Sequence, residues 1–163
     1  MTAEDPDTVS SRHPPADPDT VSSRHTPDDS PGFLLWIATL RWQRAMAGAL
    51  APHGVTHVQF VLLASTWWLG DKEEPPTQRR LAEQAGTDPM MTSQVLRTLE
   101  GKGLVRRLPD ERDSRARRVV LTASGRQTVA GAITAVEDAD HEFFGSLAPE
   151  HLLPMLRALA ARG

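Results

Sequence analysis

Three polar side chains on one helical stripe, Ser93, Gln94 and Arg97, and two arginines three residues apart, Arg112 and Arg115, are the groups of this 163-residue chain best suited to recognition chemistry. Glutamine pairs bidentately with adenine and arginine with guanine on the floor of a major groove, and Met90 beside them offers apolar contact to a thymine methyl. Thr77 and Gln78 stand near another helix N-terminus, where hydroxyl, amide and free backbone N–H groups suit a phosphate. Arg112 and Arg115 lie in the polar stretch PDERDSRA. An arginine placed in a narrow, strongly negative A·T-rich minor groove gains attraction and reads its shape. The acids of that stretch would be unfavourable near phosphate unless they pair with the arginines, and Asp113 is the candidate for aiming them.

The elements that must position these groups follow from periodicity and capping. Phe33, Ile37, Leu40 and Leu50, with Leu34 and Met46 alongside, recur at three- and four-residue steps until Pro52-His53-Gly54. A second helix opens at Thr56, where Thr56 and Gln59 fit a capping box, and runs through Phe60, Leu63 and Trp67 to Gly70. A short third begins at Thr77 after two prolines, turns Leu81, Ala82 and Ala85 inward, and stops at Gly86. Asp88 reads as an N-cap with Pro89 at the first helical position of a fourth, which reaches Glu100 before Gly101 and Gly103 close it. Within it Thr92, Leu96 and Leu99 form the stripe that buries against Leu81 and Ala85, leaving Met90, Ser93, Gln94 and Arg97 outward. Third and fourth helices joined by a glycine turn make a helix-turn-helix unit. Two β-type runs follow, Leu104–Leu108 and Arg117–Leu121, then a helix capped by Thr122 reaching about Phe144, and a last one over Pro149–Ala161.

Charge is unevenly divided. The net −3 of the whole chain hides a −5 balance in residues 1–31 and +2 in the remainder, with eight Lys/Arg against four acids over residues 97–118. Positive charge therefore gathers where a phosphate backbone can be met. The first thirty residues hold a perfect repeat, DPDTVSSRH at Asp5–His13 and again at Asp17–His25. With almost nothing apolar in either copy there is no face to bury, and a disordered tail is expected. The absence of cysteine excludes disulfides, thiolate zinc sites and thiol switches in the native sequence. No apolar run is long enough to span a bilayer and no signal peptide is legible, so no membrane partner and a cytoplasmic location are expected.

From Leu81 to Gly125 the chain reads LAEQAGTDPMMTSQVLRTLEGKGLVRRLPDERDSRARRVVLTASG. This segment closely resembles the multiple-antibiotic-resistance regulator (MarR) family of winged helix-turn-helix proteins. The most specific piece is the wing pattern D-x-R-x₅-L-T, met by Asp113, Arg115, Leu121 and Thr122, and Ser124-Gly125 fits as well. The helix order extends the resemblance over about residues 33–163. It implies a mainly α fold with a small β-hairpin wing and a helical dimerisation region. Residues 1–31 would be an acidic tail and 32–163 the domain, with 56–122 as the DNA-binding lobe and 33–55 and 123–163 as dimerisation helices. By the same resemblance Arg115 is the wing arginine, Asp113 its orienting acid, and Ser93, Gln94 and Arg97, with Met90 and Met91 nearby, the base readers. The implied function is a homodimeric transcriptional regulator, expected to repress, on a pseudo-palindromic double-stranded operator with half-sites about 34 Å apart.

The apolar residues of the terminal helices support a dimer independently. Phe33, Leu34, Trp36, Ile37, Val129, Ile133, Val136, Phe143, Phe144, Leu152, Leu153, Leu156 and Leu159 exceed what a lone small domain needs there. Family members that sense small aromatic ligands bind them between the dimer region and the lobes. Trp36, Trp42, Trp67 and Trp68 are candidates to line such a pocket, although tryptophans in helices more often belong to a core. His53, His57, His141 and His151 lack tight metal-ligand spacing and read as surface or capping residues, and Glu137, Asp138, Asp140 and Glu142 as a solvated face. No metal or cofactor is expected. No nucleophile elbow, phosphate-binding glycine loop or metal cluster appears, so an enzyme is not expected. A winged-helix module used only for protein contacts is the competing class, but such modules usually lose the polar stripe and wing arginines kept here.

Overall fold

The computed structural model describes residues 26–70 and 74–161. The duplicated tail segment lies outside the described residues. Contacts divide the chain into two units, one ending at Trp36 and the other beginning at Ile37.

Helices α1 (Pro31–Leu50), α2 (His57–Gly70), α3 (Gln78–Ala85) and α4 (Pro89–Gly101) are followed by strands β1 (Val105–Pro109) and β2 (Arg117–Leu121) and by helices α5 (Ala123–Phe144) and α6 (Pro149–Ala160). The strands form an antiparallel hairpin with Val105 opposite Leu121 and Pro109 opposite Arg117. β1 starts and ends one residue later than the β-type run Leu104–Leu108 suggests.

α2 is apolar on nearly all sides, and such a helix has to be surrounded. It buries Phe60, Leu62 and Leu63 and packs against α3, α4, α5 and β2. Leu81 from α3, Leu96 and Leu99 from α4, Val119 from β2 and Val129 from α5 complete that core. The expected capping box is present: Thr56 N–H donates to Gln59 Oε1 at 3.2 Å, and Gln59 N–H to Thr56 Oγ1 at 3.4 Å. Lys102 Nζ closes over the same corner, donating to Gln59 Oε1 at 2.9 Å and to the Gly54 carbonyl at 2.8 Å.

Val129 is fully buried, and Ile133 and Val136 pack against the same core. Val129, expected at a dimer surface, therefore belongs to the fold of one subunit, while Ile133 and Val136 are only partly covered by it. α6 buries no residue and leaves Leu153, Met155, Leu156 and Leu159 exposed. In the first unit, Phe33, Leu34, Leu35 and Trp36 are exposed.

Asp140 is not part of a solvated face. It is half-buried and accepts the Trp42 indole N–H at 2.7 Å. The half-buried His57 ring meets Trp42 edge-on, with centroids 4.9 Å apart. Burial pushes the His57 pKa below its ordinary value, against the opposing pull of the Asp140 charge.

Candidate nucleic-acid interface

The first turn of α4 is set by its cap. Asp88 Oδ1 accepts the backbone N–H groups of Met90 and Met91, both at 2.9 Å, and Pro89 supplies a residue with no N–H to satisfy. The inner stripe seats Thr92, Leu96 and Leu99 in the core. Thr92 stays polar there because its hydroxyl donates to the Asp88 carbonyl at 2.9 Å and lies 2.7 Å from the Thr87 hydroxyl. With that stripe pinned, the 3.6-residue period leaves Met90, Gln94 and Arg97 exposed and Ser93 at the boundary. Met90 is 82% exposed and Met91 is also solvent-accessible. The Arg97 Nη2 donates to Ser93 Oγ at 3.1 Å, which ties two of the expected base readers together.

Thr77 caps α3, its hydroxyl accepting the Arg80 N–H at 3.2 Å, and Gly86 ends that helix at φ +61°, a conformation glycine adopts without steric cost. Thr77 and Gln78 line a concavity of about 460 Å³ with Arg79, Pro89, Asp113, Arg115 and Arg117. α3, the start of α4 and the hairpin tip thus share one recess.

The hairpin is held at both ends. At its base the Thr122 hydroxyl donates to the Gly103 carbonyl at 2.7 Å and accepts the Gly125 N–H at 3.0 Å. A Cβ on Gly125 would overlap the Leu104 carbonyl oxygen, which explains a glycine at that position. At the tip, buried Asp110 accepts the backbone N–H groups of Arg112 at 2.8 Å and Asp113 at 3.0 Å. Its other oxygen faces Arg118 Nε at 2.6 Å. The Arg112 N–H bond and the other donors push the Asp110 carboxyl below its ordinary pKa, outweighing burial. Arg118 then reaches the Pro75 carbonyl at 2.8 Å and Glu74 at 2.7 Å, and Val119 N–H donates to the Pro76 carbonyl at 2.9 Å. Hairpin and pre-α3 turn are one assembly.

The basic stretch at residues 97–118 is less free than its count suggests. Arg107 is committed to Glu100 at 2.6 Å, and that contact pushes the Glu100 pKa down. Lys102 and Arg118 hold the fold, Arg117 Nη1 donates to the Ser114 and Ala116 carbonyls, and Arg112 Nη2 pairs with Glu74 Oε1 at 3.1 Å. Arg115 is exposed and its guanidinium has no ion pair among the described residues. Asp113 accepts the Arg115 backbone N–H at 2.9 Å and so shapes the turn, without gripping the guanidinium.

Sequence reasoning missed Glu74, Asp110 and Arg118. Asp110 carried a local signal, since an aspartate accepting from the second and third residues beyond it is the mark of an Asx-type turn. Arg118 and Glu74 carried none, because they lie 44 positions apart in the chain.

The tryptophans are dispersed in role. Trp42 is bonded to Asp140, and Trp67 lines a recess of only about 80 Å³ with Val119, Leu121 and Arg126. Trp68 is largely exposed, and so, in the other unit, is Trp36. Among the described residues no group of three or more His, Cys, Asp or Glu is placed to hold a metal ion, and no helix is long and apolar enough to cross a membrane.

The MarR family model matches residues 55–116. The uncharacterized HTH-type transcriptional regulator YdcH of Bacillus subtilis is 44% identical over 131 residues, covering 80% of this chain and 89% of its own. Two solved structures share the fold at similar length. CouR of Rhodococcus jostii, bound to p-coumaroyl-CoA, is 27% identical with a TM-score of 0.72, over 82% of this chain and 92% of its own. The Mycobacterium tuberculosis regulator MosR, in complex with DNA, is 25% identical with a TM-score of 0.66, over 82% and 99%.

Proposed function

The chain belongs to the MarR family of winged helix-turn-helix transcriptional regulators, and from that premise we propose that it represses transcription in the cytoplasm as a homodimer seated on a pseudo-palindromic operator. α4 enters the major groove with Gln94 and Arg97 toward the bases, Ser93 fixing the arginine and Met90 and Met91 supplying apolar contact. The α3 N-terminus, with Thr77 and Gln78, takes phosphate, and Arg115 reads the adjacent minor groove. The observation that carries the reading is the selective exposure of these groups. Gln94, Arg97 and Arg115 face solvent, while most neighbouring cations are committed to carbonyls or carboxylates. The MosR complex with DNA supports it.

Dimerisation accounts for α6. A twelve-residue helix with a proline inside and no buried residue is marginal alone. A second copy would cover Leu153, Leu156 and Leu159, and a concavity of about 740 Å³ places Ala45, Ala49, Ala135, Ala139 and Phe143 beside the carboxylates Asp138 and Glu142. An effector that changes the spacing of the two lobes fits the regulator reading, a small aromatic one being the class expected from the sequence; the p-coumaroyl-CoA complex of CouR supports binding of an aryl-bearing ligand by a relative.

Footprinting the full-length protein on the DNA upstream of its own gene, with the oligomeric state measured by light scattering, tests this. A protected pseudo-palindrome and a dimer mass are expected, with binding that weakens steeply as salt rises. A monomer, or a dimer that binds no duplex at low salt, would leave the fold serving protein contacts only.

A further inference from the structure

Arg112 and Arg115 stand three residues apart on one turn, yet their surroundings differ. Arg115 lines the recess shared with Thr77 and Gln78. Arg112 lines a different concavity, of about 910 Å³, with Glu74, Pro76, Thr77, Arg80 and Arg118. There its guanidinium meets Glu74 Oε1 at 3.1 Å.

An ion pair between exposed side chains ordinarily contributes little, because both partners must give up conformational freedom to make it. This pair is unusual in that one partner is already fixed. Glu74 Oε2 lies 2.7 Å from Arg118 Nη2. Arg118, only 19% exposed, is itself held by buried Asp110 at 2.6 Å and by the Pro75 carbonyl at 2.8 Å. The carboxylate is therefore presented ready-made to Arg112, which is 79% exposed and loses freedom alone. A carboxylate also engages the planar N–H donors that a phosphate would engage.

Resting on the DNA-binding reading above, we propose that Glu74 is an affinity-determining residue of operator recognition: anchored by Arg118, it occupies the Arg112 guanidinium and withholds it from the DNA backbone, so that of the two tip arginines Arg115 alone engages the duplex. Arg112 is then a phosphate contact held in reserve, and the carboxylate at position 74 decides whether it is used.

The test uses the full-length protein, a fluorescent duplex from its upstream region and a salt series, with the melting temperature of every variant recorded. Glu74→Gln keeps the shape and an acceptor for Arg118 but loses the charge. It is expected to tighten binding about three- to tenfold at low salt and to steepen the slope of log K against log salt by about 0.9, the release associated with one further phosphate contact. Arg112→Ala alone should change affinity less than about twofold. The double variant E74Q/R112A should fall back to the Arg112→Ala value. Glu111→Gln is the control, because Glu111 is exposed on the same tip and has no ion pair among the described residues. Any gain it produces should survive removal of Arg112. Unchanged affinity in E74Q overturns the proposal, as does a gain that persists in the double variant. Arg112→Ala as damaging as Arg115→Ala overturns it too, since Arg112 would already be on the DNA. Failure of the wild-type protein to bind any duplex in a salt-dependent way would instead defeat the DNA-binding reading, and is seen before any variant is compared.

Discussion

The base and the tip of the hairpin are built on opposite terms. At the base, backbone carbonyls set the limits: a Cβ on Gly125 would overlap the Leu104 carbonyl, and the Thr122 hydroxyl donates to the Gly103 carbonyl, which together restrain the strand-to-helix junction. At the tip, side chains decide. Asp110 fixes the turn and Arg118 ties it to the segment before α3, but the two outward arginines are left to whatever partner is nearest. One finds Glu74; the other finds solvent. A recognition element needs both, a base that aims it and a tip whose cations remain available for a ligand.

Breaking the base should do the most damage. Gly125→Ala forces a Cβ into the Leu104 carbonyl and should cost about 2–3 kcal/mol of stability, read as a lowered denaturant midpoint with an unchanged slope. DNA binding should fall with it, and an alanine variant as stable as wild type would show that the junction has room to shift. At the tip, Arg115→Ala should leave stability intact and weaken operator binding by about 1–3 kcal/mol. Equal losses from Arg112→Ala and Arg115→Ala would erase the contrast between the two arginines.

Smaller effects belong to α4 and to the start of α2. Gln94→Ala and Arg97→Ala should relax base preference at single operator positions, with discrimination against the wrong base falling by about 1–2 kcal/mol. Uniform weakening across random sequences would make them phosphate contacts. His57 gives the gentlest test. Its folded pKa is lowered mainly by burial, so the unfolded chain takes up a proton first as pH falls. Its contribution to stability is complete above the unfolded value of about 6.5 and is lost as pH drops through the lower folded value. The melting temperature should therefore decline from about pH 6.5 downward, and His57→Gln should flatten that decline. An identical slope in the variant would assign the effect elsewhere.

Much of the positioning frame was legible locally. Asp88-Pro89 marked the start of α4, Thr56 with Gln59 capped α2, and Thr92, Leu96 and Leu99 declared the buried stripe, which left Gln94 and Arg97 facing outward by period alone. Ser124-Gly125 was recognisable as a pattern, but its reason appeared only when Leu104 was found against it. Charge was the least legible property. Eight cations in one stretch looked like a single phosphate-facing surface, whereas Lys102, Arg107 and Arg118 hold the fold together and Arg112 is spoken for by Glu74.

The chain's own order of residues determined its helices, its caps, its hairpin and the outward stripe of α4, because periodicity and capping are settled among residues a few positions apart. Tertiary structure alone decided which cations stay free, that Asp140 bonds Trp42, and that Val129 lies in one subunit's core. Ion pairs and burial depend on which distant segments come within a few ångströms, and Glu74 and Arg118 become neighbours only when the fold closes the 43 residues of chain between them.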